Sequence, residues 1–117
     1  MKIRLDYVSN SSSSSFMLVG HVFEDEEIKK GWLKLHPDKT DEDFDQYDTP
    51  YEIGGNLGLV VERGIYEYYN QWVLGLPFED MKDDETKKQF IERIEGKLNK
   101  AFPDAKATAI VDGGYEG

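Results

Sequence analysis

Residues 16–35 read FMLVGHVFEDEEIKKGWLKL, and the hydrophobic pattern changes its period inside this stretch. Phe16 to Phe23 is an apolar run broken by Gly20 and His21, with the length and composition of a well-buried strand. Four consecutive acids follow, Glu24, Asp25, Glu26 and Glu27, where a first helical turn favours negative charge. Lys29, Lys30 and Lys34 lie toward the other end, and Ile28, Trp32 and Leu35 recur at helical spacing. The pattern predicts a short helix over 24–35, weakened at Gly31 and stopped by Pro37.

Working outward, Ile3, Leu5 and Tyr7 alternate with Lys2, Arg4 and Asp6, the period-two signature of a half-buried strand over 2–8. Ser9, Asn10 and Ser11 to Ser15 carry little burial energy and compete for backbone hydrogen bonds, so they read as a loop. C-terminal to the helix, residues 38–52 are rich in Asp, Thr, Gln and Tyr with little apolar period, which reads as a long acidic loop. Gly54, Gly55 and Asn56 read as a turn, followed by strands over 57–62 and 65–76 joined across Arg63 and Gly64. Tyr66, Tyr68, Tyr69 and Trp72 place rings on both faces of the second of these, which implies a mid-sheet position or a partnered outer face. Asp83, Asp84 and Glu85 open the strongest helix, 86–102, with Phe90, Ile91, Ile94, Leu98, Ala101 and Phe102 in one stripe and Pro103 at its end. A short strand over 105–111 and a flexible tail from Gly113 to Gly117 complete the chain. The expected fold is α+β: one domain spanning 1–117, with about five strands in the order β-β-α-β-β-α-β and an antiparallel or mixed sheet packed against two helices.

The length of 117 residues fits one domain. The net charge of −10 argues against direct binding to nucleic acid phosphates. Residues 24–52 hold 11 acids and 4 lysines, a net −7 within one quarter of the chain, so one surface is strongly electronegative. No window is apolar enough for a membrane helix and the N-terminus has no apolar signal-peptide core, so the expected location is cytoplasmic. The absence of cysteine removes disulfides, thiolate metal sites and a cysteine nucleophile.

Asp41, Asp43, Asp45, Tyr47 and Glu52 fall at positions 1, 3, 5, 7 and 12 of a calcium loop, the oxygen-ligand spacing of an EF-hand. Gln46 stands where the sharp turn needs glycine, and Pro50, Gly54 and Gly55 read against an exiting helix, so the favoured reading is a solvated acidic loop without metal. His21 and His36 are too few for a histidine metal site, and no phosphate-cradling or nucleophile motif occurs. No cofactor and no catalytic residue is assigned, and an enzyme is disfavoured. Asn10-Ser11-Ser12 is formally a glycosylation sequon, but no secretion signal accompanies it.

Two strings resemble known proteins. His36-Pro37-Asp38 is similar to the loop with which J-domain co-chaperones contact their ATPase, but the helix before it opens on acids rather than bases and the stretch after it is Asp-rich. Pro37 is therefore read as a helix stop. The opening MKIRLDYVSNSSSSSF, Met1 to Phe16, resembles an N-terminal signature of small uncharacterised proteins of Firmicutes and their bacteriophages. The resemblance implies a phage or prophage setting and no activity, with no site residue to carry over; a shared modification or processing of Ser11 to Ser15 is the alternative it leaves open to the plain loop.

The expectation is a small acidic interaction protein of inhibitor type that binds a host or viral protein. Its contacts are Asp41, Glu42, Asp43, Asp45 and Asp48, with Phe44, Tyr47 and Tyr51 as interleaved anchors. The alternative is a structural component that self-assembles into homo-oligomers through the aromatic strand. A calcium-dependent or small hydrolytic domain on the acidic loop, with Asp41, Asp43, Asp45 and Glu52 as ligands, ranks below both.

Overall fold

A computed structural model describes residues 16–64 and 68–112. The element order is β1 (Phe16–Phe23), α1 (Asp25–Leu35), α2 (Thr49–Leu57), β2 (Val60–Arg63), β3 (Trp72–Leu76), α3 (Lys87–Leu98) and β4 (Thr108–Asp112). Single 3-10 turns occupy Asp41–Asp43 and Phe78–Asp80. The four strands form one antiparallel sheet in the order β2-β3-β1-β4. The architecture is α+β with four described strands and three helices; the strand expected over 2–8, the serine loop and the tail lie outside the described residues.

Side-chain alternation along the strands gives the sheet two apolar faces. Val19 and Phe23 of β1 and Trp72, Leu74 and Leu76 of β3 join Ile28, Trp32, Ile53, Leu57, Phe90, Ile94 and Leu98 of the helices in the main core. The opposite face carries a second cluster, Leu18, Val73 and Ile110, with Phe16, Val22, Val60 and Tyr68 packed around it. β3, central and buried along its whole length, reads as continuously apolar because both faces are covered.

α1 forms where local chemistry favours it. The backbone N–H of Glu24 donates to the Glu27 carboxylate at 2.8 Å, and Asp25 accepts the indole N–H of Trp72 at 2.7 Å, which ties the helix start to β3. At its other end the His36 backbone N–H donates to the Trp32 carbonyl at 2.9 Å, and Pro37 turns the chain away. α3 begins at a reciprocal capping box between Thr86 and Gln89. It ends at Leu98, short of Pro103, where Asn99 donates its side-chain amide to the carbonyls of Phe102 and Ala105 and folds the chain into a turn. Ala101 and Phe102 are buried as expected, but from that turn and not from the helix.

Two expectations are corrected. Gly54, Gly55 and Asn56 lie within α2, because the helix packs so closely on β2 that a Cβ at Gly54 would overlap Val61 and the Leu59 carbonyl. The turn comes later, at Gly58, whose φ of 73° caps the helix in the left-handed region. The strand expected over 65–76 is confined to Trp72–Leu76; Tyr68 to Asn70 form a turn, with Asn70 at φ 65° and Gly64 and Gln71 joined at 2.8 Å across the hairpin base. Trp72 is 1% exposed in the main core, so the rings do not form one aromatic strand face. Residues 65–67 lie outside the described residues, Tyr66 among them.

Candidate functional site: an acid–tyrosine surface

The acidic segment is built, not slack. The Thr40 backbone N–H donates to the Asp43 carboxylate at 3.0 Å and starts the 3-10 turn. Asp45 Oδ1 accepts from the backbone N–H groups of Tyr47 at 2.7 Å and Asp48 at 3.2 Å, an Asx turn that leads into α2. The Asp45 N–H in turn donates to the Thr49 hydroxyl at 2.8 Å. Pro50 sits in the first turn of α2, where the missing N–H has no intrahelical partner to lose, so an exiting helix does follow the acidic segment.

The predicted anchors divide. Phe44 is half-buried, edge-on to Trp32 at 5.8 Å with the Lys29 ammonium 6.0 Å from its ring, and pins the segment to α1. Tyr47 and Tyr51 point outward, 60% and 51% exposed. Tyr51 stands edge-on against Trp72 at 5.4 Å. Arg63, expected in the connection between two strands, is the last residue of β2; it lies over both Tyr47 (5.9 Å) and Trp72 (5.4 Å) and is held by the Asn70 side-chain carbonyl at 2.9 Å. The Tyr51 phenol is pushed above its ordinary value by partial burial first, then by the Glu62 carboxylate, with Asp48 adding and Arg63 opposing. It therefore stays a neutral O–H donor across the physiological range.

Asp43 and Asp45 each give one carboxylate oxygen to a backbone cap, and all five acids from Asp41 to Asp48 are exposed. Glu52, the twelfth position of the supposed calcium loop, sits inside α2 with an oxygen 3.9 Å from Nε2 of His36. Asp41, Asp43, Asp45 and Glu52 do not converge, and among the described residues no three His, Asp or Glu side chains gather to hold a metal ion. The segment thus offers a fixed, anionic surface with two tyrosines and one arginine on it. That arrangement suits contact with a macromolecule: amphipathic rings with little entropy to lose, hydrogen-bond donors, and charge that steers an approaching cationic surface.

No helix among the described residues is long and apolar enough to cross a membrane. In comparisons with known proteins, no family model, curated protein or solved structure matches the chain.

Proposed function

We propose that the chain is an interaction protein of phage or prophage type that acts in the cytoplasm of a Firmicutes host, binding and inhibiting a host or viral protein through the acid–tyrosine surface. The observation that carries this reading is the exposure of Tyr47 and Tyr51 on a segment whose backbone is capped by Asp43 and Asp45. Rings held ready on a rigid support lose little freedom on binding, and Asp41, Glu42 and Asp48 around them favour a basic partner surface. The setting rests on the resemblance of Met1 to Phe16 to the Firmicutes and phage signature.

The test is affinity capture from a Gram-positive lysate with wild type and with Asp41→Asn/Glu42→Gln/Asp48→Asn, a variant that spares the two capping aspartates. A basic protein held by wild type and lost by the variant supports the reading; identical capture by both overturns it. A second reading, self-assembly, draws on a different place. Met17 and Val111, paired across β1 and β4, the last strand of the described sheet, are 46% and 40% exposed. Light scattering that gives a monomer at all concentrations excludes it.

A further inference from the structure

A groove of about 450 Å³ runs between the second half of α1, the end of β1 and the turn after α3, and shares no residue with the acid–tyrosine surface. Its base is aromatic: Phe23 and Phe102 lie 4.2 Å apart, and the His21 ring lies 4.7 Å from Phe23. The Phe102 ring packs directly on the helix at Gly31, where any Cβ would overlap it. Lys30 and Lys34 stand on the helix wall one turn apart, both exposed and neither in an ion pair among the described residues. Side chains at this spacing are neighbours, with Cβ atoms about 6 Å apart, so two ammonium groups can close on one anionic group. Two acids also line the groove, Glu27, whose carboxylate accepts the Glu24 N–H, and Asp104.

His21 adds a polar ring to the groove lining. Its Nδ1 lies 2.7 Å from the Lys106 carbonyl, which can only accept, so Nδ1 carries the proton. Nε2 is then the ring's remaining polar atom, with no other partner among the described residues. The volume lies within the range of small-molecule sites, which pair an apolar base with a few polar groups. In a chain of net charge −10, the four charged residues lining the groove, Glu27, Lys30, Lys34 and Asp104, sum to zero, and the two lysines place their positive charge side by side on the helix wall.

We propose that this groove binds a small aromatic anion, its ring lying over Phe102 and Gly31 and its carboxylate or phosphate held between Lys30 and Lys34. Two sources share this chemistry, aromatic carboxylates and nucleoside monophosphates. The experiment is amide NMR titration of the full chain with 2-naphthoate and with AMP, using 2-naphthalenemethanol as the uncharged ring and inorganic phosphate as the ringless anion. Saturable shifts at Gly31, Phe102 and Ala105 with naphthoate or AMP support the proposal, and whichever probe binds tighter names the source. Lys30→Gln/Lys34→Gln is expected to weaken that binding by about tenfold or more, the loss of charge-assisted contacts. Asp104→Asn, which leaves the lysines in place, is expected to tighten it. Absence of saturable shifts with both anions, equal binding of inorganic phosphate or the uncharged ring, or binding unchanged in the lysine variant would overturn the proposal.

Discussion

Gly54 and Gly55 are neighbours in one helix with opposite constraints. Replacing a helical glycine by alanine ordinarily stabilises by about 0.5–1 kcal/mol through the unfolded chain. Gly55 has nothing within 4 Å of a new Cβ, so Gly55→Ala is expected to raise the urea midpoint by that order, whereas Gly54→Ala must displace Val61 or the Leu59 carbonyl and is expected to lower it. Equal effects at the two positions would contradict the close packing of α2 on β2. Glu85 makes a second residue-scale test. Its carboxylate receives both Nε and Nη2 of Arg93 at 2.8 Å and the Lys82 backbone N–H at 3.0 Å, and these hold its pKa near 2 against an ordinary value of 4.5, the Arg93 side chain contributing most. A depressed folded-state pKa stabilises above the unfolded value and loses that contribution as pH falls, here from about 4.5 toward about 2. Glu85→Gln is expected to flatten the acid limb of urea stability over that window. An unchanged limb would show that the Glu85–Arg93 contact does not persist in solution.

Among the elements, those with strong local signals were legible. The acids before Ile28 and the lysines after it mark α1 as plainly as its hydrophobic spacing, and the acids at 83–85 and the apolar stripe mark α3 to within one residue at its start, though not at its end; Thr86→Ala, which removes the cap, is expected to cost about 1 kcal/mol in a denaturant titration. α2 was not legible, because Pro50, Gly54, Gly55 and Asn56 all argue locally for a turn and only the approach of β2 makes glycine the residue that fits. The tyrosines at 68 and 69 have strand propensity, yet Gly64 and Asn70 set a hairpin connection there, which shortens β3. The acidic residues and Tyr47 and Tyr51 were found from composition, but Arg63 and the aromatic groove are products of tertiary contact between distant segments, which no local pattern records. Phe44 decides whether the acidic segment holds its shape. Phe44→Ala is expected to speed hydrogen exchange at the amides of Asp43 to Asp48 while those of α3 keep their protection. Exchange unchanged in the acidic segment would mean that the Asp43 and Asp45 caps order it unaided.

At the scale of the molecule, the sheet is apolar on both faces, and the long acidic excursion between α1 and α2 carries much of the net charge of −10. Such a layout separates tasks: the layers supply stability, and the capped excursion, which contributes little to the core beyond Phe44, is free to present side chains outward. In the proposed interaction, long-range attraction from the acids would speed encounter and weaken with salt, whereas the tyrosines would act at short range and hold the complex once formed. The two contributions are separable in one experiment. Capture from a Gram-positive lysate at low and at moderate salt, compared between wild type, Tyr47→Ala/Tyr51→Ala and Lys30→Gln/Lys34→Gln, addresses the proposed interface directly. A partner is expected to be retained at moderate salt by wild type and by the groove variant and lost by the tyrosine variant; retention of that partner by the tyrosine variant at both salt concentrations would contradict the proposed interface.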